Sequence, residues 1–353
     1  MNAGIPAFVL GGTGYVAGEL LRLIAGHPRF ELAAVLSDSH PGEPLARAFT
    51  HLASAYPDTA FSALSDVEHQ LSQVPHCAIF SAAPHGASAA LIDTLLAKAQ
   101  ACGTRARVVD ISADFRFRSA QAFESIYGHA HSAPARLDEF TCALPEQLSA
   151  LQTPHVAHPG CFATATLLAA VPLIAAALTT PRLFVAGITG STGSGRKPTA
   201  GTHHPLRHSD LYSYNALTHR HAAEVAACIQ SACGAEADIA FVPHSGPFAR
   251  GIHVTVQGEL RTARDSAHVV AALRSFYSGA PFVRVLDHAP RMKDVVASNY
   301  AHLSAVAKGR TVAVFCVIDN LAKGAAGGAL QWMNRIFDLP ETTGLTAPAP
   351  GWT

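Results

Sequence analysis

One cysteine of the sequence lies where a thiol becomes reactive. Cys161 follows Pro159 and Gly160 and starts an apolar run that predicts a helix over residues 161–178. The unpaired N–H groups and the dipole at a helix N-terminus lower the pKa of a thiol placed there, which favours the nucleophilic thiolate. A free cysteine is more commonly a small buried hydrophobic residue, and we interpret the other six cysteines in that way. For Cys161 the pattern favours a covalent nucleophile.

Two histidines are candidates for the acid–base partner of that thiol. Residues 218–224 read Thr-His-Arg-His-Ala-Ala-Glu, so His219 and His221 flank one arginine. With the glutamate they could bind zinc, but His-x-His lacks a third nearby soft ligand and a thiolate nucleophile needs no metal, so we predict no metal site. One imidazole is the preferred general base because histidine titrates near neutrality. A structural histidine at a helix start is the alternative for either one.

Glycines at the first strand–helix turn indicate a nucleotide site. Residues 11–18 read Gly-Gly-Thr-Gly-Tyr-Val-Ala-Gly, directly after a predicted strand and at the opening of a helix. Glycines there permit a tight turn and let N–H groups approach a pyrophosphate at the positive helix end. The spacing is G-x-x-G-x-x-A rather than G-x-G-x-x-G, and a plain turn is the alternative, but the context favours dinucleotide binding. The predicted contact residues are Gly11, Thr13, Gly14, Tyr15 and Val16.

The end of the second predicted strand should meet the ribose of the bound nucleotide. There the chain reads Ser37-Asp38-Ser39-His40. An acidic residue at this place holds the 2′-hydroxyl of NAD, whereas hydroxyl and basic groups suit the 2′-phosphate of NADP. Asp38 favours NAD, while Ser37 and Ser39, with the following histidine, favour NADP. The residue chemistry alone leaves the choice open.

Two further segments could hold anionic groups of a substrate. Residues 191–197 read Ser-Thr-Gly-Ser-Gly-Arg-Lys, and successive N–H groups in such a loop can form an anion-holding concavity to which Arg196 and Lys197 add charge. A flexible surface loop is the alternative. Arg116, in Ser-Ala-Asp-Phe-Arg, could clamp a carboxylate or phosphate, or could form a solvated ion pair.

The composition limits the kinds of partner. Of 353 residues, 49% are hydrophobic and 14% are charged, and 25 Lys plus Arg balance 25 Asp plus Glu. A net charge of zero argues against attachment to nucleic acid or an anionic membrane surface, and this hydrophobicity argues against disorder. The longest apolar run, 163–178, is too short to span a bilayer. With no signal-peptide pattern and no C-x-x-C among seven cysteines, we expect a reducing, cytoplasmic location.

The elements that position these residues alternate between strands and helices. Apolar runs predict strands at 7–10, 32–36, 78–80 and 108–111, and helical patterns lie at 17–25 and 87–99. This alternation is typical of a doubly wound parallel sheet, the Rossmann type of α/β domain.

The pattern of predicted strands and helices changes after about residue 150. Strands are predicted at 183–189, 239–242, 253–259 and 311–318, forming a mixed sheet covered on one face by helices. A closing helix is predicted over 322–337, and the Pro- and Thr-rich tail from 340 to 353 is expected to be frayed.

Seven motifs together resemble one family, the N-acetyl-γ-glutamyl-phosphate reductases of arginine biosynthesis. They occur in family order between residues 7 and about 338, at 11–23, 112–116, 159–161, 193–197, 218–221, 243–252 and 319–326. The sequence also departs from the family pattern. Pro-Gly-Cys-Tyr-Pro-Thr of the family reads Pro-Gly-Cys-Phe-Ala-Thr here, which removes a phenol beside the thiol. The third glycine of the fingerprint is Ala17, and Asp38 stands where many relatives carry an uncharged or basic residue.

The resemblance implies a domain plan. An NADP(H)-binding Rossmann domain would cover 1–155. A catalytic and oligomerisation domain would cover 156–318, an α/β domain with a mixed sheet like that of the glyceraldehyde-3-phosphate and aspartate-semialdehyde dehydrogenases. A C-terminal helix at 319–338 would return to the Rossmann domain, followed by a tail at 339–353. A cytoplasmic homo-oligomer, a dimer or tetramer, is also implied.

The resemblance also implies roles for individual residues. Cys161 would attack an acyl phosphate and form a thioester, which hydride from NADPH reduces to a semialdehyde while His219 manages the proton and the Phe162 N–H holds the oxyanion. Asn320 would join the cofactor contacts. The predicted substrate contacts are Arg116, Ser194, Arg196, Lys197 and His221. Two alternatives stay open: a reductase of aminoadipyl or aspartyl phosphate, and an NADP-binding sensor without catalysis.

Overall fold

The computed structural model describes residues 4–352, which fall into two units. The first unit contains the chain up to Cys142, together with Ala150–His158 and Ala329–Leu345. The second unit contains Ala143–Ser149, Pro159–Gly328 and the chain from Thr346. Both units are therefore discontinuous in sequence, whereas the sequence predicts only one such return, that of a helix at 319–338 to the first domain.

The first unit is a doubly wound parallel sheet, as predicted. Its six strands lie in the order β2-β1-β3-β4-β6-β5, and every pairing is parallel. The strands are β1 (Ile5–Leu10), β2 (Phe30–Leu36), β3 (His76–Ser81), β4 (Arg105–Asp110), β5 (Phe140–Cys142) and β6 (His155–Ala157). The helices are α1 (Tyr15–Ala25), α2 (Leu45–Ala48), α3 (Leu64–Leu71), α4 (Ser88–Cys102) and α5 (Ala120–Tyr127).

Strands β1 and β3 at the centre of this sheet are mostly apolar, and β4 carries the apolar pair Val108-Val109, because both faces of the sheet are covered. Phe8 of β1, Ile79 of β3 and Val108 of β4 belong to one buried cluster with Ile92 and Leu95 of α4. Continuous apolar runs of this kind are typical of parallel sheets between two helix layers. The carboxyl ends of these strands carry the turns that the sequence assigns to the nucleotide.

The second unit contains the predicted mixed sheet. Its seven strands lie in the order β11-β12-β13-β10-β7-β9-β8, with parallel pairs β7–β9 and β11–β12 and antiparallel pairs elsewhere. The strands are β7 (Thr179–Thr189), β8 (Tyr212–Ser213), β9 (Asp238–Ser245), β10 (Ile252–Leu260), β11 (Val283–Val285), β12 (Ala301–Lys308) and β13 (Thr311–Ile318). The helices are α6 (Cys161–Ala175), α7 (His204–Arg207), α8 (His221–Cys233) and α9 (Ser266–Phe276).

Helices cover one face of this sheet, in agreement with the alternation of buried and exposed residues along its strands. In β7, Leu183 and Val185 are buried whereas Arg182 and Phe184 are exposed. Helix α6 packs against β10 and β13 on the covered face. The other face therefore presents Phe184 and its neighbours to solvent in the single chain.

Helix α6 is apolar on all sides and almost entirely buried, from Phe162 to Ile174. It ends at Ala175, three residues before the predicted end, because Ala177 turns to a positive φ of 50°. Pro172 lies inside the helix and cannot donate an N–H to the carbonyl of Leu168, four residues earlier. The Tyr277 hydroxyl donates to that carbonyl at 2.7 Å instead.

The C-terminal segment differs from its prediction in two ways. The predicted helix over 322–337 is a π-helical turn, Ala322–Ala326, followed by α10, Gly327–Ile336. The expectation of a frayed tail is wrong for residues 340–345. Leu345 is buried, and the Asn334 amide donates to the carbonyls of Glu341 and Thr343, so these turns are held against the first unit.

Candidate active site

The structure confirms that Cys161 is the first residue of a long helix. Gly160 is the N-cap of α6, and its carbonyl accepts the first helical hydrogen bond, from Thr164 N–H at 2.7 Å. The Cys161 side chain is partly exposed. The N–H groups of the first turn point toward the helix N-terminus, where they stabilise negative charge on a nearby sulfur or oxygen atom.

A buried carboxylate holds the residue before the thiol, and the sequence analysis missed this role. The Gly160 N–H donates to Glu224 Oε1 at 2.5 Å, and Glu224 is fully buried in the first turn of α8. Glu224 had entered the sequence analysis only as a zinc ligand. The available signal was a single acidic residue three positions after His221, on the same helix face as this histidine.

His219 lies in the turn before α8, among aromatic side chains. Its ring centroid is 6.2 Å from that of Phe162, 5.7 Å from Tyr214 and 5.4 Å from Phe241, each in an edge-on arrangement. Burial, assisted by the positive charge of Arg220, lowers the pKa of His219 to about 4. The imidazole is therefore neutral at pH 7.

A backbone hydrogen bond fixes which nitrogen of His219 carries the proton. The N–H of His221 donates to His219 Nδ1 at 3.2 Å. Nδ1 is therefore an acceptor, and the proton of the neutral ring is on Nε2. In this state His219 presents an N–H donor to its surroundings.

His221, the other candidate base, is buried at the start of α8, with its ring centroid 4.6 Å from that of His219. Phe162 packs against both imidazoles, since its centroid also lies 6.4 Å from that of His221. Within residues 4–352, no three His, Cys, Asp or Glu side chains lie together in a set able to hold a metal ion.

In the first unit, the predicted nucleotide turn has the backbone that such a site needs. Gly11 has a φ of +77°, and a Cβ on it would lie 2.5 Å from the Cα of Ala83. Helix α1 starts at Tyr15 with Gly14 as its N-cap, without a capping side chain or an acidic residue in its first turn. A helix N-terminus of this kind fits a pyrophosphate. Thr13 and Val16 are half-buried beside it, and Tyr15 is exposed.

The turn after β2 carries hydroxyl groups in a row. Ser37 Oγ lies 3.4 Å from Ser39 Oγ, which lies 2.6 Å from His40 Nδ1. Ser37 is buried, whereas the Asp38 side chain is exposed. Two hydroxyls and an imidazole form a donor set that fits a 2′-phosphate.

Arg116 is neither on the surface nor in a solvated ion pair, so that alternative is wrong. The side chain is 5% exposed, and its guanidinium donates to the carbonyls of His158 at 3.0 Å and Ile111 at 2.7 Å. These bonds hold the end of the chain segment that precedes Pro159. Its use as a substrate clamp stays a prediction.

The loop at 191–197 does not form the expected concavity of N–H groups. The N–H groups of Ser191 and Thr192 donate to Phe248 and Ala249 carbonyls, and those of Gly193 and Gly195 donate within the loop. The expectation is therefore wrong for these four N–H groups, because protein carbonyls already accept from them. The side chains predicted to contact substrate remain exposed: Ser194, Arg196 and Lys197.

Asn320 is 2% exposed, and both ends of its side chain form hydrogen bonds within the second unit. Its Oδ1 accepts from Gly251 N–H at 2.8 Å, and its Nδ2 donates to Thr192 Oγ1 at 2.9 Å. The preceding Asp319 binds the Arg250 guanidinium through two hydrogen bonds of 2.9 Å. These two residues join three loops of the second unit.

Comparisons with protein families match both parts of the chain. Residues 7–162 match the model of the semialdehyde dehydrogenase NAD binding domain, and residues 161–320 match that of the semialdehyde dehydrogenase dimerisation domain. The search for a helix able to cross a membrane, made over the same described residues, finds none.

Several similar proteins carry the same name. An N-acetyl-gamma-glutamyl-phosphate reductase of Rhodopirellula baltica is 34% identical over 98% of this chain and 99% of its own length. The reductase of that name from Symbiobacterium thermophilum is 36% identical over 97% of both chains, and that from Methanopyrus kandleri is 37% identical over 96% and 97%.

Solved structures share the fold at low identity. Aspartate semialdehyde dehydrogenase II of Vibrio cholerae, complexed with ASA, has a TM-score of 0.67 at 14% identity and covers 96% of this chain and 99% of its own. Aspartate semialdehyde dehydrogenase with NADP from Candida albicans has a TM-score of 0.64 at 15% identity, over 95% and 99%. The predicted likeness of fold to aspartate-semialdehyde dehydrogenases is confirmed.

Proposed function

Because the chain belongs to the N-acetyl-γ-glutamyl-phosphate reductases, we propose that it reduces N-acetyl-γ-glutamyl phosphate to N-acetylglutamate 5-semialdehyde and phosphate with NADPH, in arginine biosynthesis. The observation that carries the proposal is Cys161 at the N-terminus of α6, with the preceding amide held by Glu224. A thiol at a helix N-terminus favours the thiolate form that acts as a nucleophile.

The first half of the reaction uses the helix start. The Cys161 thiolate attacks the acyl-phosphate carbonyl, a C–S bond forms, and the C–O bond to phosphate breaks. The Phe162 N–H, in the first turn of α6, is placed to hold the oxygen that becomes negative during this step. Inorganic phosphate leaves with the electron pair of the broken bond, and a thioester remains on Cys161.

In the second half the thioester is reduced and released. NADPH, held by the turn at Gly11–Val16 and by Ser37 and Ser39, supplies the hydride when bound. His219 is neutral and carries its proton on Nε2, so it donates a hydrogen bond to the oxyanion of the hemithioacetal. Collapse of that oxyanion forms the aldehyde and returns the thiolate of Cys161. We propose Asn320 as a further cofactor contact, in a position where its side chain also bonds to Gly251 and Thr192.

The anionic parts of the substrate need cationic and polar partners. We propose Arg116 and His221 as contacts from buried positions, and Ser194, Arg196 and Lys197 as contacts from the loop after β7. The Arg116 guanidinium, fixed by its bonds to the carbonyls of His158 and Ile111, would supply positive charge for a phosphate or carboxylate. Reductases of aminoadipyl or aspartyl phosphate would use the same machinery, so the acyl chain is the property to test.

The test is a steady-state assay with phosphate, run in the semialdehyde-oxidising direction with NADP and with NAD. N-acetylglutamate semialdehyde, aminoadipate semialdehyde and aspartate semialdehyde are compared as substrates. We expect the first to be preferred, and Cys161→Ser to abolish turnover while leaving NADPH affinity unchanged. Substantial turnover by Cys161→Ser would contradict the thioester mechanism, and a preference for another semialdehyde would contradict the proposed substrate.

We also propose a homo-oligomer formed through the open face of the mixed sheet. A groove of about 290 Å³ lies on this face, lined by residues that include Phe184, Leu217 and Val242. Phe184 is 52% exposed and Leu217 is 67% exposed, which leaves apolar surface for a second copy of the chain. The match to a dimerisation domain over residues 161–320 supports this assignment. The seven free cysteines fit a cytoplasmic location.

A further inference from the structure

A π-helical turn lies directly behind the nucleophile. Gly324, in the turn Ala322–Ala326, approaches Cys161 so closely that a Cβ on the glycine would lie 2.8 Å from Cys161 Cβ and 3.1 Å from its Cα. The turn is built from bonds that span five residues, from Gly324 N–H to Asp319 at 2.9 Å and from Ala326 N–H to Leu321 at 2.8 Å. Such turns occur frequently at functional sites.

A buried ion pair holds this turn. Lys323 Nζ lies 2.5 Å from Glu146 Oε1, and both side chains are 0% exposed. Lys323 Nζ also lies 5.7 Å from the ring centroid of Phe282. Glu146 belongs to a short 3-10 turn whose next residue, Gln147, donates to the carbonyl of Leu167 in α6 at 2.9 Å. The pair therefore connects the π-turn, through residues 145–147, to the helix that carries Cys161.

The other end of the π-turn is fixed as well. Asp319 Oδ1 accepts hydrogen bonds from the N–H groups of Leu321 at 2.8 Å and Ala322 at 2.7 Å. The π-turn that contains Gly324 is therefore fixed at its start by Asp319 and at Lys323 by Glu146. The Cys161 atoms nearest to a Cβ placed on Gly324 are its own Cβ and Cα, which form the bond from which the thiol extends.

We propose that the π-turn is a positioning device for the nucleophile. The Lys323–Glu146 pair holds the Gly324 backbone next to Cys161, and this position limits the directions that the Cys161 thiol can adopt. Lys323, Glu146 and Gly324 act through Cys161 as positioning residues, and the inference rests on the proposed role of Cys161. Conformational specificity is the best physical reason for such a pair, because two well-packed apolar side chains are often equally or more stabilising than a buried ion pair.

The first test changes the contact itself. Gly324→Ala places a methyl group against Cys161, and Gly279→Ala is the matched control, because a Cβ at Gly279 meets nothing within 4 Å. Iodoacetamide labelling followed by peptide mapping measures the rate at Cys161, with the exposed Cys102 as the internal reference thiol. We expect Gly324→Ala to lower kcat and the labelling rate at Cys161 by about 10- to 100-fold, because small misplacements of reacting groups are costly. KM and the labelling rate at Cys102 should not change in Gly324→Ala. The control variant Gly279→Ala should match the wild type in kcat and in both labelling rates.

The second test removes the anchor without leaving a lone buried charge. The double variant Glu146→Gln with Lys323→Met neutralises both partners and should unfold near the wild-type denaturant midpoint. We expect Cys161 to label about tenfold more slowly in it and kcat to fall with the labelling rate. If Gly324→Ala and the double variant both label Cys161 within about twofold of the wild type, the π-turn does not position the thiol. Labelling requires no substrate, so this result is distinct from a failure of the proposed reductase activity.

Discussion

His219 illustrates at the residue scale how surroundings select one function of a side chain. Burial, with the positive charge of Arg220, lowers the pKa of His219 to about 4, and the His221 N–H donates to Nδ1. The imidazole is therefore a neutral hydrogen-bond donor through Nε2 rather than a general base. The sequence analysis proposed a base at this position because an unperturbed histidine titrates near neutrality. The role in catalysis stays a proposal, but its protonation state at pH 7 follows from the structure.

A pH dependence of stability follows from this lowered pKa. The unfolded chain has a His219 pKa near 6.5, so between pH 6.5 and about 4 the unfolded state binds the proton first. The contribution of neutral His219 is complete above pH 6.5 and is lost as the pH falls toward 4. We expect the free energy of unfolding of the wild type to decrease more from pH 7 to pH 4.5 than that of His219→Gln. Urea denaturation at both pH values measures this, and equal decreases would contradict the burial argument.

Glu224 allows a second prediction at the residue scale. Glu224→Ala leaves the buried Gly160 N–H without this acceptor, which costs about 1–3 kcal/mol in the free energy of unfolding. Glu224→Gln keeps an amide oxygen at the same distance and should lose less. Chemical denaturation compares the two variants, and kcat should follow the same order because the residue after Gly160 is the nucleophile. If alanine and glutamine variants are equally stable, the hydrogen bond to Gly160 does not anchor the helix start.

At the scale of elements, Pro172 and Tyr277 form a matched pair. The proline leaves the carbonyl of Leu168 without its helical donor, and the Tyr277 hydroxyl replaces that donor at 2.7 Å. We expect Tyr277→Phe to lose about 1–2 kcal/mol of the free energy of unfolding. In a Pro172→Ala background the helix supplies its own N–H, so the same change should cost less. A double-mutant cycle by denaturation measures the coupling, and strictly additive losses would contradict it.

The elements that the sequence predicted well are those with one strong pattern. The strand at 311–318 and the start of α6 agree with the structure to the residue, and both are apolar runs with clear ends. Strand β12, Ala301–Lys308, is not predicted by the sequence, because its alternation is carried mainly by alanine, which has a low strand propensity. Its pairing with β13 supplies the stability that its composition lacks. The π-turn was read as ordinary helix, since five-residue bonds depend on Asp319 and on packing rather than on local propensity.

The site shows the same division between local and distant information. The position of Cys161 at a helix start could be predicted, because a helix start is a property of neighbouring residues. The hydrogen bond between Gly160 and Glu224 spans 64 positions, so the local pattern around His221 marks the acidic residue but does not identify its partner. The anion-binding expectation for residues 191–197 failed for a related reason. The carbonyls that accept hydrogen bonds from the N–H groups of Ser191 and Thr192 belong to Phe248 and Ala249, which are far along the chain.

At the scale of the whole molecule, the mixed sheet has an unequal distribution of apolar side chains between its faces. Leu183 and Val185 meet helices on one face, whereas Phe184 is exposed on the other with Arg182 stacked on its ring at 5.3 Å. The chain has no net charge to keep copies apart. Exposed apolar surface on a neutral protein favours association. The open face is therefore where a second copy of the chain is expected.

This face gives a prediction about the size of the particle in solution. Phe184→Glu places a carboxylate at the centre of the proposed interface, and burying that charge should raise the dissociation constant of the oligomer by about 30-fold or more. Trp352→Glu is the matched control, because Trp352 is 96% exposed and lies in the C-terminal tail. Light scattering over a concentration series measures the mass. A wild-type monomer, or a Phe184→Glu variant that associates as strongly as the control, would place the oligomer contact elsewhere.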